Sequence, residues 1–361
     1  MKMHDSRGTS GSGGTAPPRF SARTKLRRAT RPLVLLLAAG TLVAGATTPA
    51  HGKPPSAAPA VTAVFAFGSG LGSGSTIGPD GALYLTDGNA GAILRMDPTS
   101  GGVTTFASGL PPQVIGIGGA MDVAFLGNTA YALVSIVGPF FGQPTTVAGL
   151  YRINRDGSAT VIADIGAWST AHPPATAFFI PGGVQYALQP FRDGFLVTDG
   201  HHNRVLRVGR DGGISELIAL ANIVPTGLDT SGETVYLAEA GPVPHHPATG
   251  KVVAFGAHAP VVTTVASGAP LMVDVEFGRG HQLYALSQGE WNWPDLPENA
   301  GLPASPDTGS LLRVNGDGTF TPVVGQLDRP TSLEIIGDTA FVVTLTGTVV
   351  RIDNLPRPNG S

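Results

Sequence analysis

Short runs in which apolar and polar side chains alternate recur from about residue 60 onward, and Gly, Pro, Asp or Asn bound nearly every one. Leu83-Tyr84-Leu85-Thr86-Asp87 follows Gly78-Pro79-Asp80-Gly81 and precedes Gly88, a strand held between two turns. The segment Asp80-Gly81-Ala82-Leu83-Tyr84-Leu85-Thr86-Asp87-Gly88 returns as Asp193-Gly194-Phe195-Leu196-Val197-Thr198-Asp199-Gly200. Weaker copies are Ala130-Tyr131-Ala132-Leu133-Val134, Val235-Tyr236-Leu237-Ala238-Glu239, Leu283-Tyr284-Ala285-Leu286-Ser287 and Ala340-Phe341-Val342-Val343-Thr344. The last positions of these six copies are separated by 47, 65, 40, 48 and 57 residues. Such a period supports one supersecondary unit per copy.

Most copies lead into a further strand, such as Ile93-Leu94-Arg95-Met96, Val205-Leu206-Arg207-Val208 or Val349-Val350-Arg351-Ile352. A glycine turn and a fourth strand come next, as where Asn315-Gly316-Asp317-Gly318 leads into Phe320 to Val324. The pattern predicts an all-β fold, a six-bladed β-propeller with four-stranded blades. The last copy lacks a fourth strand, whereas Val64-Phe65-Ala66-Phe67-Gly68 reads like the fourth strand Val103-Thr104-Thr105-Phe106-Ala107. The N-terminal strand is therefore expected to complete the last blade and remove two free sheet edges. Connections between strands one and two, and three and four, are short. The four long ones, 135–148, 166–180, 240–250 and 288–308, fall on the opposite face, the expected place of function.

The first 50 residues stand apart. They carry eight basic residues, Lys2, Arg7, Arg19, Arg23, Lys25, Arg27, Arg28 and Arg31, and then an apolar run of 14 residues from Leu33 to Ala46. A membrane-spanning helix needs about 20 apolar residues, so residues 1–50 read as a secretory signal peptide with cleavage near Ala46 or Ala50. Residues 51–60 are then a flexible linker, 61–354 the propeller and 355–361 a C-terminal tail. Without residues 1–50, the 22 basic and 25 acidic residues become 14 and 24, a net charge of −10, and only Lys53 and Lys251 remain as lysines. That balance disfavours nucleic acid and anionic membrane surfaces as partners, and no stable membrane insertion is expected after signal cleavage. With no cysteine in the chain, disulfides, thiol nucleophiles and thiolate metal sites are excluded.

Asp122, in Met121-Asp122-Val123-Ala124-Phe125, and Asp274, in Val273-Asp274-Val275-Glu276-Phe277, align at the start of innermost strands, where other blades have Gly74, Gly183, Gly227 and Ser332. They are expected to oppose each other near the channel mouth in blades two and five. Oxygen ligands of this kind suit Ca2+ or Mg2+; the alternative is hydrogen bonding to neighbouring strand amides or channel water. Asp87, Asp199 and Glu239 end second strands on the same face, placed either to accept turn N–H groups or to touch a ligand. His201-His202, His245-His246 and His172 lie in the connections of that face, and imidazole serves there as base or ligand. Trp291 and Trp293, in Gln288-Gly289-Glu290-Trp291-Asn292-Trp293-Pro294-Asp295, and Trp168 are either loop anchors or a platform for a flat or sugar ligand. The chain contains no Gly-x-Ser-x-Gly elbow, His-Glu-x-x-His or phosphate-cradling glycine loop.

The Pro-x-Gly and Asp-Gly-x-Leu-Tyr-Leu-x-Asp pattern resembles the repeat of NHL-type six-bladed propellers. Over residues 61–354 the chain is similar to the ScyD/ScyE family of exported propeller proteins. Asp80 to Gly88, Phe195 to Arg207 with His201-His202-Asn203-Arg204, Pro225-Thr226-Gly227-Leu228 and Gly309-Ser310-Leu311-Leu312-Arg313-Val314 carry the likeness. The resemblance implies export and an accessory role in exported secondary metabolism, since cyanobacterial members are associated with biosynthesis of the pigment scytonemin. It supplies no catalytic residue.

These features point to a secreted or cell-envelope propeller that binds a small molecule, glycan or protein partner on its loop-rich face without catalysis. The alternative is a divalent-metal-dependent hydrolase of the lactonase type, with Asp122 and Asp274 as ligands and a face histidine as general base. Intact-mass analysis of the exported protein is expected to show a chain beginning at Thr47 or His51. Recovery of the uncut chain in the cytoplasm would contradict the signal assignment.

Overall fold

The computed structural model describes residues 57–68, 72–176, 180–258, 260–296, 299 and 301–356. The segment expected to be a signal peptide, with its expected cleavage sites, and the residues from 357 onward lie outside the described residues. The described strands form six antiparallel four-stranded sheets. Blade 1 comprises Gly72–Ile77, Leu83–Asp87, Ala92–Met96 and Val103–Ala107, and blade 2 comprises Gly119–Leu126, Thr129–Ser135, Gly149–Ile153 and Ala159–Asp164. Blade 3 follows with Gln185–Phe191, Gly194–Asp199, Arg204–Gly209 and Ile214–Ala219, and blade 4 with Pro225–Ser231, Thr234–Glu239, Gly250–Gly256 and Thr263–Ala269. Blade 5 is Met272–Phe277, Leu283–Ser287, Gly309–Val314 and Phe320–Leu327. Blade 6 is Pro330–Ile336, Thr339–Thr344 and Thr348–Asp353, completed by Ala60–Ala66 from the N-terminal end. Inner strands of consecutive blades touch in the order 1 to 6, and blade 6 touches blade 1, so the ring is closed.

The second strand of each blade explains why the repeats read as nearly continuous apolar runs. In Leu83–Asp87 every residue is buried, because the two sheet faces meet two different neighbours. Leu83 and Leu85 pack with Phe341, Val343 and Val349 of blade 6, whereas Tyr84 and Ile93 pack with Val123, Ala132 and Tyr151 of blade 2. The same division holds around the ring: Leu133 and Leu150 meet Phe195 and Leu206, Leu196 and Val205 meet Leu237 and Phe255, and Leu286 and Leu311 meet Leu333 and Val342. The core is thus a set of interfaces between blades, and an isolated blade would expose both apolar faces. Fourth strands sit on the rim and alternate accordingly, with Thr104 and Thr105 exposed.

Closure occurs as the pattern foretold. Ala60 pairs with Asp353 and Ala66 with Thr348, with one bulge between Ala63 and Phe65. The chain also continues its packing beyond the last strand: Leu355 is buried, its N–H donates to Asp338 O at 2.9 Å, and Tyr284 Oη donates to Pro356 O at 2.7 Å.

Every inner strand shifts register against its second strand near the loop-rich end, between Gly72 and Ser75, Ala120 and Asp122, Gln185 and Leu188, Pro225 and Leu228, Met272 and Asp274, and Pro330 and Ser332. A bulge frees a strand N–H and re-aims the side chain beside it. The Thr-Asp endings of two repeats supply the missing partner: Thr86 Oγ1 accepts from Gly74 N at 2.8 Å, and Thr198 Oγ1 from Ala187 N at 3.0 Å. The bulges also correct one alignment. The blade 3 counterpart of Asp122 and Asp274 is Ala187; Gly183 lies in the loop before Gln185, where the Pro-x-Gly pattern sits two residues ahead of the strand.

Removal of residues 57–66 is expected to leave the Thr348–Asp353 edge unpaired and to strip Val64 and Phe65 from the interface between blades 6 and 1. Thermal melting should show a drop on the order of 10 °C, equivalent to about 4 kcal/mol in a domain of this class, together with new higher-order species on size exclusion.

Candidate functional site

The channel bounded by the six inner strands opens at the loop-rich face into a cavity of about 200 Å3. Two tiers of inner-strand positions surround it, all of them cavity-lining except Ala124, which packs between blades 2 and 3, and Asp229. The bulge positions form the upper tier, Gly74, Asp122, Ala187, Gly227, Asp274 and Ser332 in blade order, and two residues further along each strand lie Thr76, Ala124, Gln189, Asp229, Glu276 and Glu334. The upper tier repeats after three blades as glycine, aspartate and a small residue. The reason is steric: a Cβ on Gly74 would collide with Asp122 Oδ1, and a Cβ on Gly227 with Asp274 Oδ1. Each glycine makes room for the carboxylate of the following blade.

Those carboxylates join blades. Asp122 accepts from its own neighbour Val123 N at 2.8 Å and from Leu188 N of blade 3 at 2.7 Å. Asp274 repeats the arrangement with Val275 N at 2.9 Å and Leu333 N of blade 6 at 2.8 Å. Asp229, one tier lower, accepts from Thr230 N, from Phe277 N at 3.1 Å and from Gln189 Nε2 at 3.1 Å. Both oxygens of each aspartate are therefore engaged with N–H donors, and among the described residues no three His, Asp or Glu side chains converge as a metal-ligand set. Burial pushes Asp122 well above the usual carboxylate range and raises Asp274 to about 7, against the opposing pull of their amide donors. Glu276 and Glu334 are raised by burial and then by neighbouring carboxylates, Glu334 acting on Glu276 and Asp274 on Glu334.

The mouth is asymmetric. Blades 3, 4 and 5 contribute Tyr186, His201, His245 and Gln288 along with the apolar Val224, Leu271 and Leu302, and the rest of the mouth has only apolar side chains, Ile117 and Ile136, which pack with Tyr186, and Leu345. Tyr186 Oη and His201 Nε2 are 3.3 Å apart, within hydrogen-bond reach. Burial lowers both His201 and His245 to about 4, and the two rings lower His245 further, so both are neutral near pH 7. Burial raises Tyr186 above its ordinary value. The 288–308 connection overhangs the mouth: Gly301 and Leu302 line the cavity, and Trp291 Nε1 donates to Leu302 O at 3.1 Å.

The other sequence candidates serve the scaffold. His202 turns away from His201 and its Nε2 donates to Ile180 O at 2.9 Å, while its Nδ1 lies 3.3 Å from Asp199. Asp199 is wholly buried and takes Arg204 Nε at 3.0 Å, Gln185 Nε2 at 3.0 Å and Ser169 Oγ at 3.1 Å. Asp87 Oδ1 caps the following turn by accepting from Ala90 N at 2.8 Å, and Glu239 meets Lys251 at 3.3 Å. His246 is exposed, and His172 stacks on Trp168 with ring centroids 4.3 Å apart. Trp291 is 6% exposed and packs with Val224, Ala240, Leu271 and Ala304, which makes it an anchor; Trp293 is 43% exposed, its Nε1 donating to Pro303 O at 2.8 Å.

Tyr186, Asp229, Glu276, Glu334 and Arg204 escaped the sequence reading. For Glu276 a signal was present, since it stands two residues after Asp274 and a strand returns to the same face at that interval. Tyr186 had none, because its position depends on where the bulge falls.

Neither a family model nor a curated relative matches the sequence. Solved structures with similar folds include virginiamycin B lyase from Staphylococcus aureus, with a TM-score of 0.52 and 12% identity over 82% of this chain and 99% of that one. A gluconolactonase from Xanthomonas campestris aligns with a TM-score of 0.56 and 13% identity over 82% of this chain and 89% of that one. A nidogen–laminin complex gives 0.52 and 14% over 75% and 89%. At these identities the likeness establishes the six-bladed propeller fold, and a fold shared by a lyase, a gluconolactonase and a nidogen–laminin complex does not by itself assign a function.

Because Asp274 holds its proton to about pH 7 when folded and to about pH 3.9 when unfolded, the native state binds the extra proton between those values. Its contribution to stability is complete below about pH 4 and is lost as pH rises through about 7. Asp274→Asn should cost stability at every pH through the disturbed Leu333 bond, and should remove this slope. Urea unfolding at pH 5 and pH 8 is expected to show a smaller difference between wild type and D274N at pH 8; an equal difference would contradict the assigned shift.

Proposed function

We propose that the protein binds a small organic molecule in the channel mouth on its loop-rich face, outside the cytoplasm, without catalysing a reaction. The observation that carries this is the division of labour among polar side chains. Asp87, Asp199, Glu239 and His202 are committed to the scaffold, whereas Tyr186, His201 and His245 converge on one cavity that is otherwise partly apolar, with Ile117, Ile136, Val224, Leu271 and Leu345 in its lining. A concave site with a few convergent polar groups fits a small ligand better than a glycan or protein partner spread over the exposed loops. The sequence resemblance to the ScyD/ScyE family favours a ligand from exported secondary metabolism, with this protein accessory to an enzyme.

The lactonase-type hydrolase is the second reading, supported by the position of Asp122 and Asp274 on opposite blades of one cavity. Ca2+ or Mg2+ there would polarise a carbonyl, with His201 as base. The carboxylates as arranged do not fit that ion, because their oxygens already accept strand amides.

Thermal-shift screening of a small-molecule collection, followed by titration, tests the binding reading. Tyr186→Phe and His245→Leu are expected to weaken any hit about tenfold, roughly 1.4 kcal/mol, with little loss of stability. Trp291→Ala should instead cost about 3–5 kcal/mol of folding stability, and Trp293→Ala almost none. Stoichiometric metal in the purified protein, with gluconolactone turnover abolished by D274N, would establish the hydrolase instead.

A further inference from the structure

The cavity has a charge bias that its mouth does not reveal. Among the described residues that line it are Asp122 of blade 2, Asp274 and Glu276 of blade 5 and Glu334 of blade 6, and no lysine or arginine. Asp229 of blade 4 stands beside them, while blades 1 and 3 contribute no carboxylate to the lining. The three aspartates are held by strand amides, but the forces on Glu276 are burial and the carboxylates of Glu334, Asp229 and Asp274, with no hydrogen bond among them. Gathering carboxyl groups in an enclosed channel costs free energy unless a cation or a proton neutralises them. On the wall above, His245 is 8% exposed and its Nδ1 has no hydrogen-bond partner. A buried polar atom of this kind marks a place where a partner is missing.

We propose that the ligand is a small organic cation, a primary or secondary amine on an apolar or aromatic body, whose ammonium group descends to Glu276 and Glu334 while its body lies in the mouth among Tyr186, His201, His245, Ile136 and Leu345. This rests on the small-molecule reading above and specifies its chemistry. A bare divalent ion matches the acids less well, since no three of them converge and about 200 Å3 of partly apolar space far exceeds one ion. The neutral imidazoles and the phenol offer π faces and acceptors that an ammonium group uses. Burial and mutual repulsion favour the protonated form of the channel acids and an ammonium group favours the charged form, so amine binding is expected to release protons and to strengthen as pH rises.

Isothermal titration with phenethylamine, its neutral isostere 2-phenylethanol and calcium chloride tests the assignment. The amine is expected to bind at least tenfold more tightly than the alcohol, more tightly at pH 8 than at pH 6, and with proton release seen as a dependence of the heat on buffer ionisation enthalpy. Glu276→Gln and Glu334→Gln should each weaken the amine tenfold or more and leave 2-phenylethanol unchanged. Should one variant fail to fold, the other and the buffer dependence decide. Equal affinity for alcohol and amine, or amine binding indifferent to both glutamates, would overturn the cation assignment while leaving small-molecule binding intact. Calcium binding with no response to the amine would overturn it in favour of a metal. If neither the amine nor any neutral compound binds, the small-molecule reading falls as well.

Discussion

No blade of this ring can bury its own apolar faces. A four-stranded sheet with Leu83 and Leu85 on one side and Tyr84 and Ile93 on the other needs two neighbours, and each neighbour needs another in turn. The requirement is met for every blade only when the ring closes, and closure in a single chain is achieved by pairing Ala60–Ala66 with Thr348–Asp353. Stability is thus distributed over six interfaces, and the strand that completes blade 6 supports all of them at once.

Closure also creates the site. Six inner strands brought edge to edge leave a channel, and their bulges turn side chains into it at one level. There the packing between neighbours sets identity: glycine in blades 1 and 4 admits the aspartates of blades 2 and 5, which bond the next strand amide on. These aspartates tie the ring together from inside, as the apolar clusters do from between the blades. The same geometry leaves Glu276 in the channel without amide support and Glu334 with a single backbone partner, Ile77, so the scaffold and the proposed ligand site share one row of acids yet differ in what satisfies them.

The loops add direction. The base turns are short and self-braced, as where Asn315 Nδ2 donates to Thr319 Oγ1 and Thr321 Oγ1 at 2.9 Å. The long connections of blades 4 and 5 instead bring His245 and Gln288 to the mouth, where they join Tyr186 from the inner strand of blade 3 and His201 from the short turn after its second strand.

The repeat, its strand order and the closing N-terminal strand were all legible in the chain, because strand alternation, turn residues and period are local properties carried in consecutive residues. The loop-rich face was legible too, from insertion lengths alone. What the chain could not show was which member of a pair turns inward: His201 faces the cavity and His202 the buried Asp199–Arg204 group, though they are adjacent and chemically identical. Trp291 looked equally fit for a ligand or for packing until Leu271 and Ala304 were found against it. Asp122 and Asp274 were visible as aligned carboxylates, but their bonds run to Leu188 and Leu333, dozens of residues away, and only blade docking brings those amides within reach. Local sequence determined the elements and their order; the direction of each side chain at the channel was decided by bulges and neighbouring blades, which act through space rather than along the chain.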